Sequence, residues 1–165
     1  MQKHISDILN ESFNNLQKII NDKGLITEIE IVTKKVIQAF KHGNKLLLCG
    51  NGGSASDAQH IAAELSGRFN KERKPLYAEA LHVNSSYMTA VSNDYGFEST
   101  YSRMLEAIGK KGDILIALST SGNSENVVNA VKMANSLDML SVGMSGATGG
   151  KIKELCQHNI IIPSS

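Results

Sequence analysis

The chain has 165 residues, 41% of them apolar and 20% charged, and a formal net charge of +1. This length and balance suit one globular domain spanning 1–165. They supply no long-range field for nucleic acid or an acidic membrane surface, and no apolar run approaches the ~20 residues of a membrane span.

The N-terminus "MQKHISDILNESF" lacks the apolar region of a signal peptide. Residues 3–21 place Ile5, Ile8, Leu9, Phe13, Leu16, Ile19 and Ile20 at three- and four-residue intervals, which predicts an amphipathic helix ended by a cap at Gly24. A second helix over 25–41 carries Ile29, Val32, Val36, Ile37 and Phe40 and stops at Gly43-Asn44. Residues 1–43 thus read as an N-terminal helical pair, and 44–165 as a sheet core. In that core "KLLLC" (45–49), "LYAEALHV" (76–83), "DILIALS" (113–119), "MLSVGMS" (139–145) and "NIIIP" (159–163) are short apolar runs bounded by turn residues. Helical stretches are expected at 56–66, as a broken pair near 85–108, at 124–136 and near 150–156. Strands alternating with helices imply an α/β fold, a parallel sheet covered on both faces, with ligands at the carboxyl ends of the strands. Cys49 and Cys156 lie in or beside apolar runs and read as buried free thiols of a reducing compartment, so a cytoplasmic protein is expected.

Two loops fall at that carboxyl edge. The first, Gly50-Asn51-Gly52-Gly53-Ser54-Ala55-Ser56, can bring its backbone close to a ligand. Ser56 with Gln59 fits a capping box, so a helix is expected to open there and favour an anion. Gly50-x-Gly52-x-x-Ala55 also matches a dinucleotide fingerprint, but Glu79 sits inside its apolar run rather than at the end, and no Walker lysine is present. The second loop, "STSGNS" (119–124), gathers Ser119, Thr120, Ser121 and Ser124 at a helix start, a neutral cradle for a phosphomonoester. His60 and Glu64, four apart on a predicted helix, are either a surface pair or half of a zinc site lacking two ligands. Asn93-Asp94 before Gly96 is either an Asx turn or an acceptor for a sugar hydroxyl.

"CGNGGSASDAQHIAAELSGRF", "SNDYGF" and "LSTSGNSENV" resemble the sugar-isomerase (SIS) domain family over nearly the whole chain, and within it the phosphoheptose isomerase group. The resemblance implies a five-stranded parallel sheet in flavodoxin-like order with an N-terminal helical pair. It also implies homotetramers with sites at subunit interfaces, and interconversion of sedoheptulose 7-phosphate and D-glycero-D-manno-heptose 7-phosphate. Position by position, Asn51, Gly52, Gly53 and Ser54 match the substrate loop, and His60 and Glu64 match two ligands of one zinc ion per subunit. Glu64 also matches the catalytic carboxylate, Asn93 and Asp94 a substrate-contact pair, and Ser119, Thr120, Ser121 and Ser124 the phosphate and sugar contacts. The family pattern continues past the last strand into a helix bearing a Gln and a His, the other two zinc ligands. This sequence ends at Ser165, so that helix is expected beyond it, and one face of "NIIIP" is expected to lie uncovered.

Two other readings share the fold. One is a non-catalytic factor that associates with a replication initiator; its position matching Glu64 is not acidic. The other is a sugar-phosphate-sensing regulatory domain; it needs neither His60 nor Glu64 and usually accompanies a DNA-binding module.

Overall fold

The computed structural model describes residues 1–146 and 148–164. Helix α1 (Gln2–Asn21) runs almost without interruption into α2 (Lys23–Lys41). The hinge is Asp22, whose carboxylate accepts from the Leu25 amide at 2.9 Å and caps α2. Gly24 is therefore not the expected C-terminal cap of α1 but part of the first turn of α2, because Asp22 restarts the helix two residues earlier. None of the residues of α1 is buried, and Ile5, Ile8, Leu9, Phe13, Leu16 and Ile20 are all exposed.

The core is a five-stranded, all-parallel sheet in the order β2-β1-β3-β4-β5. Its strands are β1 (Leu46–Cys49), β2 (Ala78–Ala80), β3 (Ile114–Ser119), β4 (Leu140–Ser145) and β5 (His158–Ile161). The α/β class, the parallel sheet and the flavodoxin-like order agree with the sequence reading. Strand β2 is much shorter than the apolar run at 76–83, because it is an edge strand that pairs only with Leu46, Leu47 and Leu48 of β1.

Alternate strand residues feed two apolar layers. Leu47, Cys49, Leu115 and Ala117 pack with α5 (Thr100–Ile108), α6 (Glu125–Ser136) and α7 (Gly150–Leu155). Leu46, Leu48, Ile114 and Ile116 pack with α2 and α3 (Gly53–Ser66). Helix α4 (Ser85–Tyr95) and a 3-10 turn (Phe97–Ser99) complete the broken pair expected before β3. Strand β5, expected to lie uncovered on one face, buries Ile160 in the layer with α2. Glu28 of α2 caps its free edge, accepting from the Asn159 amide at 3.3 Å and pairing with His158 Nδ1 at 2.8 Å.

At the amino ends of β1 and β3, Lys45 and Asp113 form a buried ion pair. The Asp113 carboxylate also accepts from the Lys45 amide at 3.0 Å and the Lys110 amide at 2.9 Å, so its charge is fully used.

Candidate active site

Strand order fixes where a ligand fits. From β1 the chain crosses to β2 on one side, and from β2 it returns past β1 to β3 on the other. The crevice between β1 and β3 is the switch point of such a sheet, and the two loops singled out in the sequence leave it from the carboxyl ends of those strands.

After β1, Gly50 lets the chain fold back on itself. A Cβ there would lie 2.7 Å from the Ser54 main chain, which no side chain tolerates. The turn is held from below by the buried Tyr101, whose hydroxyl donates to the Gly50 carbonyl. Helix α3 then starts at Gly53 with Gly52 as its N-cap at φ +54°. The Ser56–Gln59 capping box does not form; the Ser56 hydroxyl instead bonds back to the Gly52 carbonyl at 3.5 Å. Gly52 can take a conformation denied to serine, so the helix opens three residues earlier than expected. Among the described residues, the amides of Gly52, Gly53 and Ser54 find no acceptor, which leaves the helix start able to bind an anion.

The second loop is tied down on its far side. The Gly122 carbonyl accepts from the Ile152 amide at 3.1 Å, the Thr120 carbonyl from the Gly146 amide at 2.9 Å, and Asn123 Oδ1 from the Lys151 amide at 3.1 Å. On its near side Ser119 and Ser124 share a 3.1 Å hydroxyl contact, and Ser121 Oγ accepts from the Asn123 amide at 3.2 Å. One hydroxyl of the Ser119–Ser124 pair donates to the other, and Ser121 Oγ, an acceptor toward Asn123, keeps its own proton available beside the start of α6.

Six residues singled out in the sequence meet in one cavity of about 440 Å³: Asn51, Ser54, Ser119, Thr120, Ser121 and Ser124. Gly52 and Gly53, between Asn51 and Ser54 in the chain, do not themselves line it. Thr148, on the loop after β4, also lines it, as does Leu118. Sequence reasoning missed Thr148 although Gly146, Gly149 and Gly150 surround it, because the helix that follows is only six residues long and gives little periodic signal.

His60 and Glu64 are elsewhere. They border a separate apolar cavity of about 550 Å³ with Leu65, Phe69, Lys71 and Arg73. Glu64 is ten positions down α3 from Ser54, about 15 Å at the helical rise. It stands about three helical turns from the glycine turn, because the helix starts early at Gly53. Asn93 and Asp94 are exposed in the last turn of α4 and bond to each other at 2.8 Å, away from both cavities.

His60 Nε2 stands 3.7 Å from Glu64 Oε1. Two donors of one tetrahedral zinc, each about 2.0–2.2 Å from it, sit about 3.4 Å apart, so the pair is spaced to share an ion. No third His, Cys, Asp or Glu joins them among the described residues. The donor set in hand is therefore half of a closed site.

The sequence profile of the SIS domain family matches residues 10–146. A phosphoheptose isomerase of Aliarcobacter butzleri is 50% identical over 137 residues, 83% of this chain and 72% of the relative. Another, from Helicobacter hepaticus, is 46% identical across 100% of this chain and 83% of its own length. The solved structure of phosphoheptose isomerase GmhA from Neisseria gonorrhoeae superposes with a TM-score of 0.93 at 36% identity, covering 99% of this chain and 86% of that one. With matches of this extent laid over a switch-point cavity of hydroxyls and free amides, the chain belongs to the SIS domain family, in the branch of the phosphoheptose isomerases.

Proposed function

We propose that the protein interconverts sedoheptulose 7-phosphate and D-glycero-D-manno-heptose 7-phosphate, as a step of heptose biosynthesis. The observation that carries this reading is the 440 Å³ cavity, lined by six hydroxyl residues and no cation, between the starts of α3 and α6. Such a cradle suits the terminal phosphate of a sugar that must be released after each turnover. The curated relatives favour this reading over a replication-initiator-associating factor or a sensing domain, since they are named as isomerases.

In this reading Ser119, Thr120, Ser121 and Ser124 hold the phosphate with the amides of Gly52, Gly53 and Ser54. Asn93 and Asp94 are assigned to sugar hydroxyls contributed across a subunit boundary. Glu64, in a cavity apart from its own chain's hydroxyl cradle, is proposed as the base for a sugar held by a neighbouring copy. It takes the proton from C1 of the ketose, leaving an enediol, and returns it to C2 to give the aldose, while a proton moves from O1 to O2. The Glu64 side chain is 32% exposed in the single chain, and proton transfer of this kind needs water excluded. His60 and Glu64 are proposed as two zinc ligands, the remaining donors lying outside the described residues. Bound there, the metal would polarise the sugar oxygens.

The apolar stripe of α1, left open along its length, is proposed to be covered by further copies of the chain in a homotetramer. A cytoplasmic location and a product destined for lipopolysaccharide or capsule belong to the same reading. No helix is long and apolar enough to cross a membrane.

The test is incubation of the purified protein, zinc supplied, with sedoheptulose 7-phosphate in D2O. Conversion with deuterium appearing at C2 of the product is expected. Absence of both conversion and exchange overturns the isomerase reading.

A further inference from the structure

Asn126 is the second residue of α6 and is 2% exposed, yet it is polar and does not line the cavity. A buried amide side chain is retained where its bonds do something. Its Oδ1 accepts from the Val127 amide at 3.0 Å and from Asn51 Nδ2 at 2.9 Å, and its Nδ2 donates to Asn51 Oδ1 at 2.9 Å. The Val127 N–H can only donate, so it fixes which end of Asn126 is oxygen, and the reciprocal pairing then fixes Asn51.

Two consequences follow from that geometry. The side-chain oxygen and one N–H of Asn51 are spent on protein, so the turn after β1 offers the cavity mainly its main-chain amides. A Cβ at Gly52 or Gly53 would meet nothing within 4 Å, so the turn is open to close approach, and among the described residues its amides have no protein acceptor. The pair also spans the crevice. Asn51 sits in the turn after β1, and Asn126 lies two residues beyond Ser124, the N-cap of α6. Among the described residues, this amide pair and the Tyr101 bond to Gly50 are what tie the first loop to its surroundings.

We infer that Asn126 is a positioning residue for the isomerase. Acting through Asn51, it braces the two phosphate-binding loops at a fixed separation, so that both close on one phosphomonoester. The inference rests on the proposed reading of the cavity, and it assigns Asn51 a bracing role in place of a side-chain contact with the sugar.

The experiment is a double-mutant cycle with Asn126→Ala, Asn51→Ala and the double variant. Steady-state isomerisation of sedoheptulose 7-phosphate and calorimetric titration with inorganic phosphate are the readouts. Each single variant is expected to raise KM about tenfold, with kcat within about threefold, since the brace sets phosphate binding and not proton transfer. The double variant is expected to match the singles within about twofold, because both remove one interaction. A KM in Asn126→Ala within about twofold of wild type, or a double variant showing the product of the two effects, overturns the inference. Asn51→Ala, on a surface turn, tests the same brace should Asn126→Ala fail to fold. If the wild type does not isomerise, the isomerase reading fails. Phosphate affinity then decides the brace by the same pattern, loss in each single and no further loss in the double.

Discussion

Gly122 offers the sharpest check on how the phosphate cradle is built. It sits at φ +67°, and a Cβ would lie 2.0 Å from the Gly149 carbonyl oxygen and 2.5 Å from its carbon, all main chain with no flexible atom to yield. Positive φ alone costs a residue with a Cβ about 1–2 kcal/mol. Restoring ordinary contact then requires the two loops to part by more than an ångström. That breaks the Ile152–Gly122 and Lys151–Asn123 hydrogen bonds, both 3.1 Å, which contribute about 0.5–1.5 kcal/mol each. Gly122→Ala should therefore lose about 2–5 kcal/mol, a drop in urea midpoint on the order of 1–2 M. Gly52→Ala is the control. Its φ is +54° but nothing lies within 4 Å of the added carbon, so only the conformational ~1–2 kcal/mol applies. Urea unfolding of both variants, with calorimetric titration of sugar phosphate, reads the outcome. Binding should weaken at least tenfold in Gly122→Ala, because Thr120 and Ser121 move with the loop. A Gly122→Ala midpoint within ~0.3 M of wild type, the spread of harmless surface changes, would refute the argument.

Glu64→Gln keeps shape and removes the base, so turnover should fall ~10²–10⁴ with KM within a few fold; near-normal turnover in a coupled isomerase assay removes Glu64 from the chemistry. Ser121 uses only a lone pair on the Asn123 amide, so its proton is free for a phosphate oxygen; Ser121→Ala should weaken substrate binding by about 10–100-fold, and unchanged kinetics take this hydroxyl out of the cradle. Phe13→Lys places a charge in the middle of the α1 stripe, and light scattering should show a smaller species than wild type; an unchanged mass would exclude that stripe from the assembly.

Much of the fold was legible because it is written in local patterns. The three- and four-residue spacing before Lys45 and the short apolar runs after it gave two helices and a parallel sheet, and the loops after β1 and β3 announced themselves through glycine and serine. What escaped depends on partners far apart in the chain. Asn126 looks like an ordinary second residue of a helix; its partner is 75 positions away. The capping box at Ser56 was a sound local pattern overruled by Gly52, which could accept a conformation that let the helix begin sooner. The same early start puts Glu64 eleven positions along the helix from Gly53, about three turns. For Asn93 and Asp94 local chemistry left a turn and a sugar contact equally open, and only the family resemblance chose between them; in the single chain Asn93 Nδ2 donates to Asp94 Oδ1.

The Lys45–Asp113 pair bears on how the chain finds its pairing at all. Strands β1 and β3 are apolar along nearly their whole length, so sliding one past the other by two residues would leave Leu46, Leu48, Ile114 and Ile116 in one layer, and Leu47, Cys49, Leu115 and Ala117 in the other. Hydrophobic burial barely distinguishes the two arrangements. The displaced one strands an ammonium and a carboxylate in the interior, a penalty of about 3–5 kcal/mol. The ion pair thus acts as an index mark at the far end of the strands. By admitting a single alignment there, it ensures that the loops at the opposite end emerge level with one another, close enough to line one cavity.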